Sequence, residues 1–264
     1  MVELGLLIVA CAVILAGSEL FTNSVEWLGH QLDLAEGAVG SVLAAVGTAL
    51  PETMIPLVAI AFGGHGATTD EIGVGAILGA PFMIGTLAMF VTGSVVLLRA
   101  RRRHEDDVLA VEPRLLGRDA LTFAGAYVLA VGAAFVPVAA WPVRPLVALV
   151  LLAVYARYVR LHFAAERGEV GHELEPLRLH RLDRSGRQAD PSTPRRGIVV
   201  VQVIVGVAAI VGGAIIFVDV VREVSTRLAL APTLLALVIA PIATELPENF
   251  NGVIWVHQGK DNLA

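Results

Sequence analysis

Charge and cysteine are both scarce in this sequence. Only 16% of the 264 residues are charged, against about 25% in an average soluble domain. The single cysteine, Cys11, can have no intrachain disulfide partner, which excludes a disulfide-stapled scaffold. The chain also lacks a His-Glu zinc motif, a Gly-Lys phosphate loop and a Ser-His set. We therefore expect neither an enzyme nor a resident cofactor.

Long apolar runs are what the sequence has instead. Hydrophobic residues make up 56% of the chain and the mean hydropathy is +0.75. Seven runs come close to the roughly 20 residues that cross a bilayer, and they lie at about 4–29, 35–62, 72–98, 119–140, 143–163, 198–221 and 231–256. We predict an all-α polytopic membrane protein with seven transmembrane helices. The first run lacks the basic start of a signal peptide, so we predict that it is retained.

The positive charges predict the orientation of the chain. Fifteen of the nineteen Lys and Arg residues lie in two segments, six of them within 99–118 and nine within 157–196. Short cytoplasmic loops carry such an excess. We therefore predict a multi-pass protein of the cell membrane with its N-terminus outside and a cytoplasmic linker at 164–197. A nucleic-acid partner is not expected.

One motif occurs twice within the apolar runs, first as Gly47-Thr48-Ala49-Leu50-Pro51-Glu52 and again as Ala243-Thr244-Glu245-Leu246-Pro247-Glu248. A proline inside a helix frees the carbonyl four residues back, which belongs to the first residue of each copy. Threonine hydroxyls, freed carbonyls and carboxylates within one turn suit a small hard cation. The candidate metal-binding residues are Glu52, Glu248, Thr48, Thr244, Gly47, Ala243 and the additional carboxylate Glu245.

The two copies belong to a longer internal duplication. A constant offset of 196 residues relates Gly17 to Gly213 and Glu52 to Glu248, among other matches between the two ends of the chain. Five spans separate the copies, so the two motif helices would cross the membrane in opposite directions. Such inverted repeats are typical of secondary transporters. We predict a first repeat of five helices at 1–163, the linker at 164–197, and the start of a second repeat at 198–264.

Two further patterns bear on the packing of these spans. Glu19, Asn23, Glu26 and His30 fall on one face of the first span, where they either point into the bundle or sit at the wet interface. Gly75 and Gly79 in the third span are small residues that permit close approach of another helix.

At the paired motifs the chain resembles the sodium/calcium exchanger superfamily of cation antiporters. Gly17-Ser18-Glu19 before the first motif and the basic linker between the halves carry the same resemblance. It implies ten helices in two inverted repeats of five and the exchange of Na⁺, or sometimes H⁺, for Ca²⁺. It also implies that Glu52 and Glu248 are central cation ligands and that Thr48 and Thr244 supply oxygens.

The chain departs from this family pattern in three places. The third span has Gly75, Ala76, Gly79, Ala80 and Pro81 where the family usually carries side-chain ligands. Glu245 stands after the second threonine, where the first copy has Ala49. The sequence ends where an eighth helix is expected, so we expect a truncated sequence that lacks the last three helices.

The leading hypothesis is an antiporter that moves Ca²⁺ by alternating access and couples it to Na⁺ or H⁺. Proton coupling fits the third carboxylate, because clustered carboxylates at low dielectric favour a protonated form. The alternative is a non-transporting membrane protein whose intramembrane carboxylates are structural hydrogen-bond partners. The oligomeric state stays open.

Overall fold

Helices account for all regular structure that the computed structural model describes, which covers residues 2–32, 44–62, 66–100, 113–140, 142–165, 174–180 and 194–258. No strand occurs in these ranges. The α-helices are α1 (Val2–Gln31), α2 (Ala44–Phe62), α3 (Ala67–Met83), α4 (Met89–Ala100), α5 (Pro113–Ala134), α6 (Val143–Ala165), α7 (Arg196–Leu228) and α8 (Pro232–Gln258). A 3₁₀ turn at Val138–Ala140 precedes α6.

α3 and α4 are two parts of one continuous helical rod. A π-helical turn at Ile84–Ala88 joins them, and it follows Pro81 within one turn. The proline has no N–H to donate, and π turns are one way in which a helix absorbs such a local irregularity. The rod therefore matches the single span that the sequence predicts at 72–98.

Three helical segments of the described chain are long and apolar enough to cross a membrane: Val2–Gln31, Ala67–Leu98 and Arg196–Leu228. Their outward faces are apolar, with Ile8, Ile77 and Ile204 each more than half exposed. Ala49–Phe62 and Pro232–Glu245 are shorter apolar helices. The chain is thus built for a bilayer, while the full count of seven transmembrane helices stays a prediction.

The chain divides into two compact units, which are Met1–Asp107 with Gly171–Ala264 and, separately, Val108–Val170. The first unit contains both copies of the motif. Its core joins side chains of α1, α2, α3, α7 and α8, including Ile14, Ile55, Ile72, Phe217 and Ala240. In the second unit α5 packs against α6. The predicted division at 1–163, 164–197 and 198–264 rests on sequence similarity, whereas these two units are defined by packing. The division into repeats therefore stays a prediction.

Glycines bring the backbones of α1 and α7 into direct contact. A Cβ atom at Gly17 would lie 2.9 Å from the backbone nitrogen of Ile210, and one at Gly213 would lie 3.2 Å from that of Ile14. The offset of 196 residues relates Gly17 to Gly213 and Ile14 to Ile210, so each contact is the image of the other. Gly17 of α1 meets Ile210 of α7, and the earlier Ile14 meets the later Gly213. The two helices therefore run antiparallel.

The turn between α7 and α8 is tight. Ala229 ends α7 in the left-handed region, with φ 51° and ψ 37°, and its N–H donates to the carbonyl of Ser225. The N–H of Leu230 bonds the same carbonyl at 3.1 Å. Pro232 opens α8 at the first helical position, where no N–H is needed. The short turn places α8 directly after α7.

Candidate cation site

The first copy of the motif lies in the N-terminal half of α2. The helix is continuous through Pro51 and Pro56, so neither proline ends or unwinds it. Pro51 is buried and Glu52 is half-buried. The missing N–H of Pro51 leaves the carbonyl of Gly47 without its helical donor. A carboxylate and a freed carbonyl thus lie within about one turn of each other.

The second copy lies in the middle of α8, where the side chains are more deeply buried. Ala243 is 2%, Thr244 4% and Glu245 7% exposed. α8 is also continuous across its prolines, Pro241 and Pro247. Burial of an uncompensated charge costs roughly several kcal/mol. A carboxylate at this depth must therefore be balanced by a proton, a cation or hydrogen-bond donors.

Thr244 is oriented by its own helix. Its hydroxyl donates to the carbonyl of Ala240 at 3.2 Å. This bond uses the proton of the hydroxyl and leaves the lone pairs of Oγ1 able to accept or to coordinate. Thr53 on α2 makes a similar bond to the carbonyl of Ala49 at 2.9 Å, one residue after Glu52. A hydroxyl can therefore serve as an oxygen ligand while it bonds its helix.

Neighbouring helices hold α2 and α8 in one core. α2 contacts α1, α3, α7 and α8, and the buried residues just beyond its motif, Ile55 and Val58, belong to the same apolar cluster as Ala236 and Ala240 of α8. The residues that follow the first motif therefore share one core with the residues that precede the second motif.

α3 packs closely on α8, as the glycine spacing predicts. A Cβ atom at Gly79 would lie 2.7 Å from the carbonyl oxygen of Leu237, and one at Gly75 would lie 3.0 Å from the Cβ of Ala236. Leu237 is the residue whose carbonyl is freed by Pro241. The predicted close approach is confirmed, and its partner is the helix that carries the second motif.

The predicted ligands are described to different extents. The structure describes Glu52, Ala243, Thr244 and Glu245 with their side chains. Gly47, Thr48 and Glu248 are described only as parts of a helical backbone, so the predictions for the Thr48 and Glu248 side chains lie outside the described part. Within the described residues, no three His, Cys, Asp or Glu side chains form a group that could hold a metal ion.

The polar face of α1 contacts the predicted linker and α7. Asn23 is 6% exposed, and its side chain bonds residues 175–178 of the predicted linker and Gln202 of α7. Glu19 pairs with Arg178 at 2.6 Å. His30, further along the face, is exposed and meets Trp27 edge to face. On this face Asn23 is therefore buried, whereas Glu19 and His30 are exposed.

Gln202 and Trp27 also bond this network or the linker, and the sequence did not single out either residue. Gln202 is fully buried and bonds Asn23, the carbonyl of Leu20 and the N–H of Leu179. Its signal in the sequence is a lone amide within a valine-rich run at 199–203. Asp219, which the offset aligns with Asn23, is exposed, so the two positions differ in environment.

A family model described as sodium/calcium exchanger protein matches residues 2–164 and 198–264. The segment that it leaves unmatched is the predicted linker. No curated protein and no solved structure matched the chain.

Proposed function

The chain belongs to the sodium/calcium exchanger protein family, and from this premise we propose that it carries Ca²⁺ across a membrane in exchange for Na⁺ or H⁺. Members of this family are membrane-embedded cation transporters rather than enzymes. The observation that carries the proposal is a buried Thr-Glu pair, Thr244 and Glu245, in a helix that contacts the other motif helix. Intramembrane carboxylates mark ion pathways by default.

The proposed binding site combines both copies of the motif. Glu52 and Glu248 supply carboxylates, Thr48 and Thr244 supply hydroxyl oxygens, and Gly47 and Ala243 supply carbonyls that the prolines free. This shell offers only hard oxygens, which Ca²⁺ and Na⁺ prefer over nitrogen and sulfur. Competition of both ions for the same carboxylates couples their movements, because the loaded states exclude one another.

Glu245 bears on the identity of the counter-ion. It adds a buried carboxylate one turn before Glu248 and so concentrates negative charge in α8. Carboxylates that share a poorly solvated site favour protonation of one member. This charge density supports H⁺ as counter-ion beside Na⁺, and an ion-gradient experiment distinguishes them.

Alternating access through an inverted repeat is part of the proposal. The antiparallel packing of α1 and α7 supports it, because Gly17 meets Ile210 as Gly213 meets Ile14. Reciprocal contacts of this kind arise when two related segments face each other across a two-fold axis. The proposed orientation has the N-terminus outside and the linker in the cytoplasm, in keeping with the arginine-rich linker.

A structural role for the carboxylates is the competing function. The bond from Thr244 to the carbonyl of Ala240 favours it, since this hydroxyl is satisfied within its own helix. That role predicts a folded protein that moves no cation under any gradient.

The test is ⁴⁵Ca²⁺ uptake into proteoliposomes that contain the full chain. One set is loaded with Na⁺ and diluted into Na⁺-free buffer, and a second set carries a pH gradient at equal Na⁺. We expect uptake under one gradient and its loss when monensin collapses the Na⁺ gradient or nigericin the pH gradient. Helical protein that takes up no Ca²⁺ under either gradient would favour the structural role.

A further inference from the structure

A seven-residue piece of the predicted linker, Leu174–His180, lies against the C-terminal half of α1 and the N-terminal end of α7. We call this piece the strap. α1 binds its backbone through two side chains. The indole N–H of Trp27 donates to the carbonyl of Glu175 at 2.9 Å, and Nδ2 of Asn23 donates to the same oxygen at 3.3 Å. The strap thus makes direct contact with α1.

α7 binds the strap at a second point. The backbone N–H of Leu179 donates to Oε1 of Gln202 at 2.8 Å, and that of Arg178 donates to Oδ1 of Asn23 at 3.1 Å. Nε2 of Gln202 donates to Oδ1 of Asn23 at 2.9 Å. The two amide side chains therefore bond each other and the strap, which links two helices and the linker in one buried network.

One fully buried apolar side chain, that of Leu177, anchors the strap. Leu177 is fully buried and packs with Trp27 and Val199, one residue from each helix. Arg178 adds ion pairs of 2.6 Å to Glu19 and to Glu175, but all three side chains are substantially exposed. Exposed ion pairs contribute little, so the strap is held mainly by the buried Leu177, by the partly buried Leu174 that packs against the same cluster, and by the bonds to its backbone.

We propose that the strap is a releasable clamp that limits transport. It joins α1 to α7, buries Asn23 on the polar face of α1, and pairs with the exposed Glu19 on the same face. Both helices contact α2, which carries the first motif. A short surface segment whose side chains are largely exposed, as those of Glu175, Pro176 and Arg178 are, can open without unfolding of the rest of the protein. The inference rests on the proposed antiport, because alternating access requires packed helices to move relative to each other.

Trp27 reports the docking of the strap without any transport. The indole is 4% exposed and bonded to the strap, so release of the strap admits water and shifts its emission to longer wavelength. The experiment uses the full chain with Trp141→Phe and Trp255→Phe, which leaves Trp27 as the single tryptophan. Circular dichroism verifies that each variant is folded.

Three variants form a graded series. Leu177→Asp removes the apolar anchor and should release the strap, with a clear red shift and a several-fold faster initial ⁴⁵Ca²⁺ uptake. Arg178→Gln removes only the exposed ion pairs and should give a smaller change in both quantities. Leu177→Met conserves the volume and the apolar character of the anchor, so it is the matched control and should retain wild-type emission and rate.

The remaining outcomes overturn the proposal at different points. Unchanged emission of Leu177→Asp would mean that the strap does not depend on its leucine. A red shift with an equal or slower uptake rate would make the strap a structural element rather than a clamp. Absence of uptake in every protein, wild type included, would refute antiport and with it any control of antiport, whereas the red shift alone would still report docking.

Discussion

Replacement of Gly206 by alanine tests whether α1 and α7 touch through their backbones. A Cβ atom at Gly206 would lie 2.8 Å from the backbone nitrogen of Phe21 and 3.0 Å from the carbonyl oxygen of Gly17. Both are backbone atoms, so no side-chain rotation can relieve the contact and α1 itself must shift. Overpacking of this kind costs about 1–3 kcal/mol.

The helix propensity of alanine opposes this cost. Alanine is favoured over glycine by about 1 kcal/mol in a helix interior, so we expect Gly206→Ala to lower the stability by up to about 2 kcal/mol. Gly212, six residues along the same helix, has no atom within 4 Å of its Cβ position. Gly212→Ala is therefore the matched control and should leave the stability unchanged or raise it by up to about 1 kcal/mol.

The measurement is equilibrium unfolding in mixed micelles of a mild detergent and dodecyl sulfate, followed by far-ultraviolet circular dichroism. The difference between the two variants, about 1–3 kcal/mol, isolates the steric contact because the propensity gain is common to both. Equal stabilities, or a more stable Gly206→Ala protein, would show that α1 and α7 do not pack at this distance.

Three further predictions concern other parts of the fold. Gly79→Ala should be less stable than Gly85→Ala, whose site is open, by about 1–3 kcal/mol, and equal unfolding midpoints would contradict the close packing of α3 on α8. Ala229→Gly should raise the stability by about 1 kcal/mol, because Ala229 is left-handed, and a loss of stability would argue against that conformation. A cysteine at Ser185, in a chain whose Cys11 is replaced by serine, should react with an impermeant maleimide only from the cytoplasmic side, and labelling of intact cells would reverse the orientation.

The helices were the part of the fold that the sequence predicted well. The predicted runs at 4–29 and 198–221 match α1 (Val2–Gln31) and α7 (Arg196–Leu228), because a bilayer demands long apolar helices and few other structures satisfy it. The partner of Gly75 and Gly79 could not be predicted, since small residues permit close packing without specifying which helix approaches. The structure supplies α8 as that partner.

The strap could not be found from the sequence. Its contacts join Asn23 to residues about 150 positions later, and they bind backbone atoms that carry no sequence signal. The polar and charged composition of 164–197 predicts a solvated linker, and the burial of one of its leucines, Leu177, has no signal in that composition. Asn23 was identified as a polar residue on an apolar helix, but which group it bonds depended on the tertiary arrangement.

The burial of the candidate site residues could not be predicted from the repeated motif, and their role as cation ligands stays a prediction. The repeated motif predicts oxygen ligands on two helices of one bundle, and α2 and α8 do contact each other. Thr244 and Glu245 are deeply buried, whereas Glu52 is only half-buried. The two similar copies of the motif gave no indication of this difference. Burial depends on the neighbours of each helix, and these differ between the copies.

The most direct test of the central claim, cation exchange through the motif carboxylates, is the initial rate of gradient-driven ⁴⁵Ca²⁺ uptake by Glu52→Gln and Glu248→Gln. Each change keeps the size of the side chain and removes one charge that the bound Ca²⁺ requires. Glu71→Gln, at an exposed carboxylate of α3, is the matched control. We expect loss of uptake in both motif variants and wild-type uptake in the control. Wild-type uptake by either motif variant would contradict the central claim.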